Sequence, residues 1–181
     1  MRRTGAATGV GPSTSERNAG RARARAIPRA RAPQTRRQAR GKSESQARPL
    51  YEKILKLKPD NEIALNNLAF MMAEEGSDLD QALTLAQRAK QKNPNDANIA
   101  DTLGWIYIKK NLPDSAINVF NELLTKFPTH ANLAIFRYHL GMALAQKGDK
   151  IGAKKALAEA MKANPSAKDS KDIQALIQKL G

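Results

Sequence analysis

The stretch KDSKDIQALIQKLG sets Ile173, Leu176, Ile177 and Leu180 at i, i+3, i+4 and i+7, which predicts a helix with one apolar face. Upstream, runs of helix formers are broken by Pro59, Pro94, Pro128 and Pro165, spaced 35, 34 and 37 residues apart. Proline cannot continue a helix, and the polar or small residues after each one (Asp60-Asn61, Asn95-Asp96, Thr129-His130, Ser166-Ala167) suit the next N-cap. A period near 34 with helical signatures predicts an array of helix–turn–helix units.

The middle unit reads ANIADTLGWIYIKKNLPDSAINVFNELLTKFPTH. It places Leu103-Gly104, Tyr107, Ala116, Phe120 and Pro128 on the pattern W-x2-L-G-x2-Y, A-x3-F, P, with Ala100 where the first bulky residue should stand. In this the chain resembles tetratricopeptide repeat (TPR) proteins, and its phrasing is similar to the C-terminal repeats of long bacterial TPR scaffold proteins. The flanking units carry Leu65, Leu68-Ala69, Met72, Ala82, Ala89 and Pro94, and Leu140-Gly141, Leu144, Ala153, Leu157, Ala160 and Pro165. About three extra residues in the third unit lengthen its loop or its first helix. Upstream, Ala47, Tyr51 and Pro59 match only the second helix of a further unit.

The expected layout is a tail over 1–46, a half repeat at 47–61, repeats at 62–96, 97–130 and 131–167, and a capping helix at 168–180. Ser166 or Ser170 is its N-cap, and the sharper alternative makes it a partner-binding helix. The fold class is all-α: a right-handed superhelical stack of antiparallel hairpins, about eight helices in all. Small residues let paired helices approach, so Ala69, Gly104 and Gly141 are expected to face Ala82, Ala116 and Ala153. Gly76, Asn111 and Gly148 share one position between helices and are expected to adopt a left-handed helix stop.

Charge divides the chain in two. Residues 1–48 carry a net +11, nearly all arginine, and residues 49–181 carry +3. The tail lacks Leu, Phe, Tyr and Trp and is read as disordered, because it cannot bury enough apolar surface to offset its ordering entropy. Its arginines suit non-specific contact with phosphates, with no aromatic residue to stack on bases. The switch from arginine to lysine usage where half a repeat is missing also fits a non-native tail left by a displaced start or a frame error, or a plain linker. No run of about 18 apolar residues exists to span a bilayer. The compartment is left open: cytoplasmic by default, with cell-envelope association as the alternative that the resemblance implies.

No catalytic, cofactor or metal residues are expected. The chain has no cysteine, and His130 and His139 lack partners at metal-ligand spacing. Asp101 and His139 sit one repeat apart and are expected to approach as a hydrogen bond, with no nucleophile positioned beside them. The resemblance implies a non-catalytic scaffold that binds a protein segment in a concave groove lined by first helices. Family geometry puts in that groove Ile63, Asn66, Asn67, Phe70, Ala73 and Glu74; Asn98, Asp101, Thr102, Trp105, Ile108 and Lys109; and Ile135, Tyr138, His139, Met142, Ala145 and Gln146. Phe70, Trp105 and Met142 would form an apolar ridge, with Trp105 either exposed in the groove or packed between helices. Asn66 and Asn67 would bond a partner's backbone. The lysines and arginine with which some TPR co-chaperones grip a C-terminal carboxylate are missing, since Asn66, Phe70, Thr102, Ile135 and His139 stand there. The alternative functions are nucleic-acid or anionic-surface binding through the tail, and self-association through the N-terminal half repeat.

Overall fold

A computed structural model describes residues 47–181, and the disordered tail expected for 1–46 lies outside them. The described residues form eight helical segments: α1 (47–57), α2 (Glu62–Glu75), α3 (Leu79–Lys92), α4 (Ala97–Lys109), α5 (Pro113–Lys126), α6 (Leu133–Lys147), α7 (Lys150–Lys162) and α8 (Ala167–Lys179). Helices α2–α3, α4–α5 and α6–α7 pair as hairpins, and each hairpin packs on the next through α3–α4 and α5–α6. The first helices also touch one another, α2 on α4 and α4 on α6, whereas α3, α5 and α7 stay apart. First helices therefore form the tight inner layer of an all-α solenoid, and α8 packs across the end on α6 and α7.

Local chemistry sets the boundaries. The Asn61 side chain accepts from the Ala64 amide at 2.8 Å, Asp96 from Asn98 and Ile99, and Ser166 from Asp169, each covering amides the helix leaves unpaired. Pro113 opens α5, where a missing N–H costs little. Gly76 (φ 67°), Asn111 (φ 58°) and Gly148 (φ 91°) all turn left-handed between the helices of a hairpin. The extra residues of the third unit fall at 131–133, ahead of the position equivalent to Ala97, and α6 starts without a side-chain cap. There His130 Nδ1 accepts the Asn132 amide, and the imidazole stacks on Phe136 with ring centroids 5.1 Å apart.

Hairpin packing differs in one respect from the expectation that small residues would face small residues. The space over Gly104 is taken by the ring of Phe120, and Leu157 fills the space over Gly141 with Ala153 beside it. The absent side chain admits a large one, because the phenylalanine of A-x3-F sits a helical turn beyond Ala116 on the same face. Three apolar clusters follow along the stack. The first lies between α2, α3 and α4, the second between α4, α5 and α6, and the third beneath α8 around Leu157 and Ile173.

Candidate interaction groove

The inner faces of α2, α4 and α6 enclose a depression of about 330 Å³. Its walls carry Phe70, Trp105 and Met142, one from each helix, with Asp101, Tyr138 and His139 between them. Phe70 is 41 % exposed, which a soluble surface tolerates but does not favour.

Trp105 is the hub of the groove. Its ring stacks on His139 with centroids 4.9 Å apart, Lys109 Nζ sits 4.7 Å from the ring centre, and Nε1 donates to Glu74 at 2.9 Å. Its flank also packs against both the first and the second core cluster, so it is half-buried: a groove residue and a packing residue at once. Asp101 meets His139 Nδ1 at 2.7 Å, and the imidazole also has Phe120 and Tyr138 within 5.8 Å. A histidine so covered by rings is a packing and hydrogen-bonding element of the wall. Burial, and after it the carboxylates of Asp172 and Asp169, raise the pKa of the Tyr138 phenol.

A second depression, about 290 Å³, lies nearer α1 and is lined by Asn66 and Asn67 with Ile63, Asp96, Asn98 and Ile99. The two asparagines differ. Asn67 Nδ2 donates to the Tyr51 hydroxyl at 3.1 Å, tying α2 to α1. Asn66 Oδ1 is buried with no protein partner.

Three residues expected in the groove face inward instead. Thr102 is buried: α4 is flanked by α2 and α6, and a short side chain at that seam is covered from both sides. Ala73 and Ile108 are buried because each lies one turn beyond Ala69 or Gly104, on the stripe that packs against the second helix. The sequence reading also missed a contribution. The first two turns of α8 bring Lys168, Asp169 and Asp172 to the rim of the larger depression. Only charge density at the start of a one-sided helix hinted at this.

Among the described residues no group of three metal-ligating side chains converges, and no helix is long and apolar enough to cross a membrane.

A curved stack of helical hairpins with a lined inner face defines a helical-repeat solenoid. Residues 102–130 and 134–166 each match the tetratricopeptide repeat family. A TPR repeat-containing protein of Pseudomonas aeruginosa is 31 % identical over 88 residues, which is 49 % of this chain and 14 % of that protein. Among solved structures, a MamA mutant is similar at a TM-score of 0.58 and 21 % identity, over 78 % of each chain. The MamA RS-1 double mutant is similar at 0.58 and 17 %, over 81 % of this chain and 89 % of that one. The matches identify residues 102–130 and 134–166 as tetratricopeptide repeats, and the solved structures share the fold of the stack.

Proposed function

We propose that this chain is a protein-interaction scaffold whose inner groove binds an extended segment or a helix of a partner protein. The observation that carries it is the apolar ridge of Phe70, Trp105 and Met142 in a concave surface, ringed by groups able to hydrogen-bond. Aromatic anchors in a shaped pocket are where interface energy concentrates, and a methionine adapts to varied partners. Asn66, Asn67 and Asn98 line the neighbouring depression and add polar groups beside the ridge.

The test compares the full chain with a Phe70→Ala/Met142→Ala variant confirmed as helical by circular dichroism. Phe70 is exposed, whereas Met142 is partly buried against the second core cluster, so the variant's melting temperature is measured beside its helicity. A partner retained by the first protein and lost by the second, with cross-links from residue 70 to one contiguous partner segment, is the expected result. Identical retention by both proteins would remove the groove from consideration.

The strong positive charge of residues 1–48 favours a second reading, in which the tail holds nucleic acid or an anionic surface and the repeats act as a spacer or assembly unit. Duplex binding at low salt that disappears when 1–46 are deleted would support it. A third, self-association through α1, draws on the exposure of Leu50 and Leu57 and predicts a concentration-dependent mass in light scattering.

A further inference from the structure

We infer that the α8 end of the groove takes a cationic side chain, an arginine or lysine, from the bound partner segment. This rests on the groove reading above and names the chemistry of the segment.

The lining of the larger depression holds four carboxylates, Glu74, Asp101, Asp169 and Asp172, against the ammonium of Lys168, with that of Lys109 beside Glu74. That imbalance sits in a chain of net charge +14, so the groove is a local negative site on a positive protein. Three of the four carboxylates are engaged. Glu74 accepts from Trp105 Nε1 and lies 4.0 Å from Lys109, Asp101 meets His139, and Asp169 accepts from Ser166 Oγ at 2.5 Å. Asp172 has no ion pair or hydrogen bond among the described residues.

Its neighbourhood suits a cation better than any other group. Tyr138, Asp169 and Asp172 line the same depression, so an aromatic ring shares the site with the two carboxylates. A guanidinium or ammonium entering there would meet the free carboxylate together with the side of an aromatic ring, the pairing that favours arginine above lysine. Concave walls of protein exclude part of the solvent and strengthen the charge attraction over an open surface. The apolar ridge beside it fits an adjoining hydrophobic residue of the same segment. An acidic segment would face repulsion from Asp172, and a neutral one would leave it as it is.

The chain supplies its own reporter, because Trp105 is its single tryptophan and lines this depression. The full chain is titrated with acetylated, amidated decapeptides that are identical except for one central residue between two leucines: arginine, lysine, citrulline or glutamate. Emission from Trp105 is followed. The arginine and lysine peptides are expected to give saturable changes, with citrulline and glutamate weaker by roughly tenfold or more. Asp172→Asn should abolish the preference, and Asp172→Lys should shift it toward glutamate. Both changes fall on an exposed side chain, so the fold is retained. A chain with the arginines of residues 21–40 changed to glutamine removes competition in cis, and the same ranking is expected.

Equal affinity for citrulline and arginine would overturn the inference while leaving the groove reading intact. So would an unchanged preference in Asp172→Asn, or the absence of any saturable response. Failure of the groove reading itself would show instead as retention of the partner by the Phe70→Ala/Met142→Ala protein.

Discussion

The carboxylate of Asp101 lies 2.7 Å from Nδ1 of His139, joining α4 to α6 across the inner face of the stack. The two side chains are 16 % and 12 % exposed, so solvent screens the contact less than it would a surface pair. A double-mutant cycle with Asp101→Ala and His139→Phe, neither of which can hydrogen-bond there, is expected to return a coupling of about 1 kcal/mol in chemical denaturation. Either single change leaves a shielded polar partner unmatched and should cost about 1–2 kcal/mol. Strict additivity of the two changes would show that the contact contributes nothing to the junction of the repeats.

Glycine packing gives a sharper expectation, because two equivalent positions have different neighbours. A Cβ on Gly104 would stand 2.5 Å from the Phe120 ring, a rigid plane whose three nearest atoms all lie within 2.9 Å, so the whole ring must move. At Gly141 the nearest atoms, at 2.7 Å, belong to the tip of Leu157, a buried but flexible side chain with rotatable bonds that a ring lacks. Alanine gains up to about 1 kcal/mol over glycine in helix propensity, and overpacking costs about 1–3 kcal/mol. Gly104→Ala should therefore lower stability by about 1–2 kcal/mol, and Gly141→Ala should stay within about 0.5 kcal/mol of wild type. Adding Phe120→Leu to Gly104→Ala should return part of the loss. Comparable losses at the two glycines would mean that the ring is not the obstacle.

Much of this architecture was legible because tetratricopeptide units write their packing into the chain at one period. The prolines mark the hairpin ends, and Gly76, Asn111 and Gly148 stand where a left-handed turn is needed and occur there in the fold. What stayed hidden depends on contacts the period does not encode. Family register put Thr102 in the groove because it treats every unit alike, yet α4 has neighbours on both sides and seals that seam. The large neighbour of Gly104 went unforeseen for a related reason: matching small residue to small residue ignores how far a phenylalanine one turn away can reach. The carboxylates of α8 reach the groove because the last helix packs on α6 as well as on α7. No one-dimensional pattern specifies such a contact.

The loop between α1 and α2 carries a pH-sensitive link. Hydrogen bonds from Lys92 and then Arg88 hold the Asp60 carboxyl below its usual pKa, and Arg88 also donates to the Pro59 carbonyl at 2.8 Å. A carboxyl with a depressed folded-state pKa stabilises the fold above its unfolded pKa, and that contribution is lost as the pH falls through the folded value. Asp60→Asn should thus lower the melting temperature by a constant amount above about pH 5, and the gap to wild type should close toward about pH 3. A gap that persists unchanged at the acid end would assign the effect to something other than this charge.

Helix α1 packs on the stack by one side only. Tyr51 and Leu55 join the first core cluster, while Leu50 and Leu57 remain 60 % and 75 % exposed because no described helix pairs with α1 as α2 pairs with α3. Polar ties supplement this thin contact: Arg48 bridges to Glu75 at 2.7 Å and to Glu52 at 3.2 Å, and the Tyr51 hydroxyl accepts from Asn67. Exposed ion pairs of this kind contribute at most about 1 kcal/mol, so the helix should open far more readily than the middle of the array. Amides of 51–57 are expected to exchange at least about a hundredfold faster than those of α4, which is flanked on both sides. Tyr51→Phe removes the acceptor for Asn67 and should widen the difference a further few-fold. Protection of α1 equal to that of α4 would mean that its open face is covered in solution, and cross-linking from Leu50 and Leu57 would then show by what.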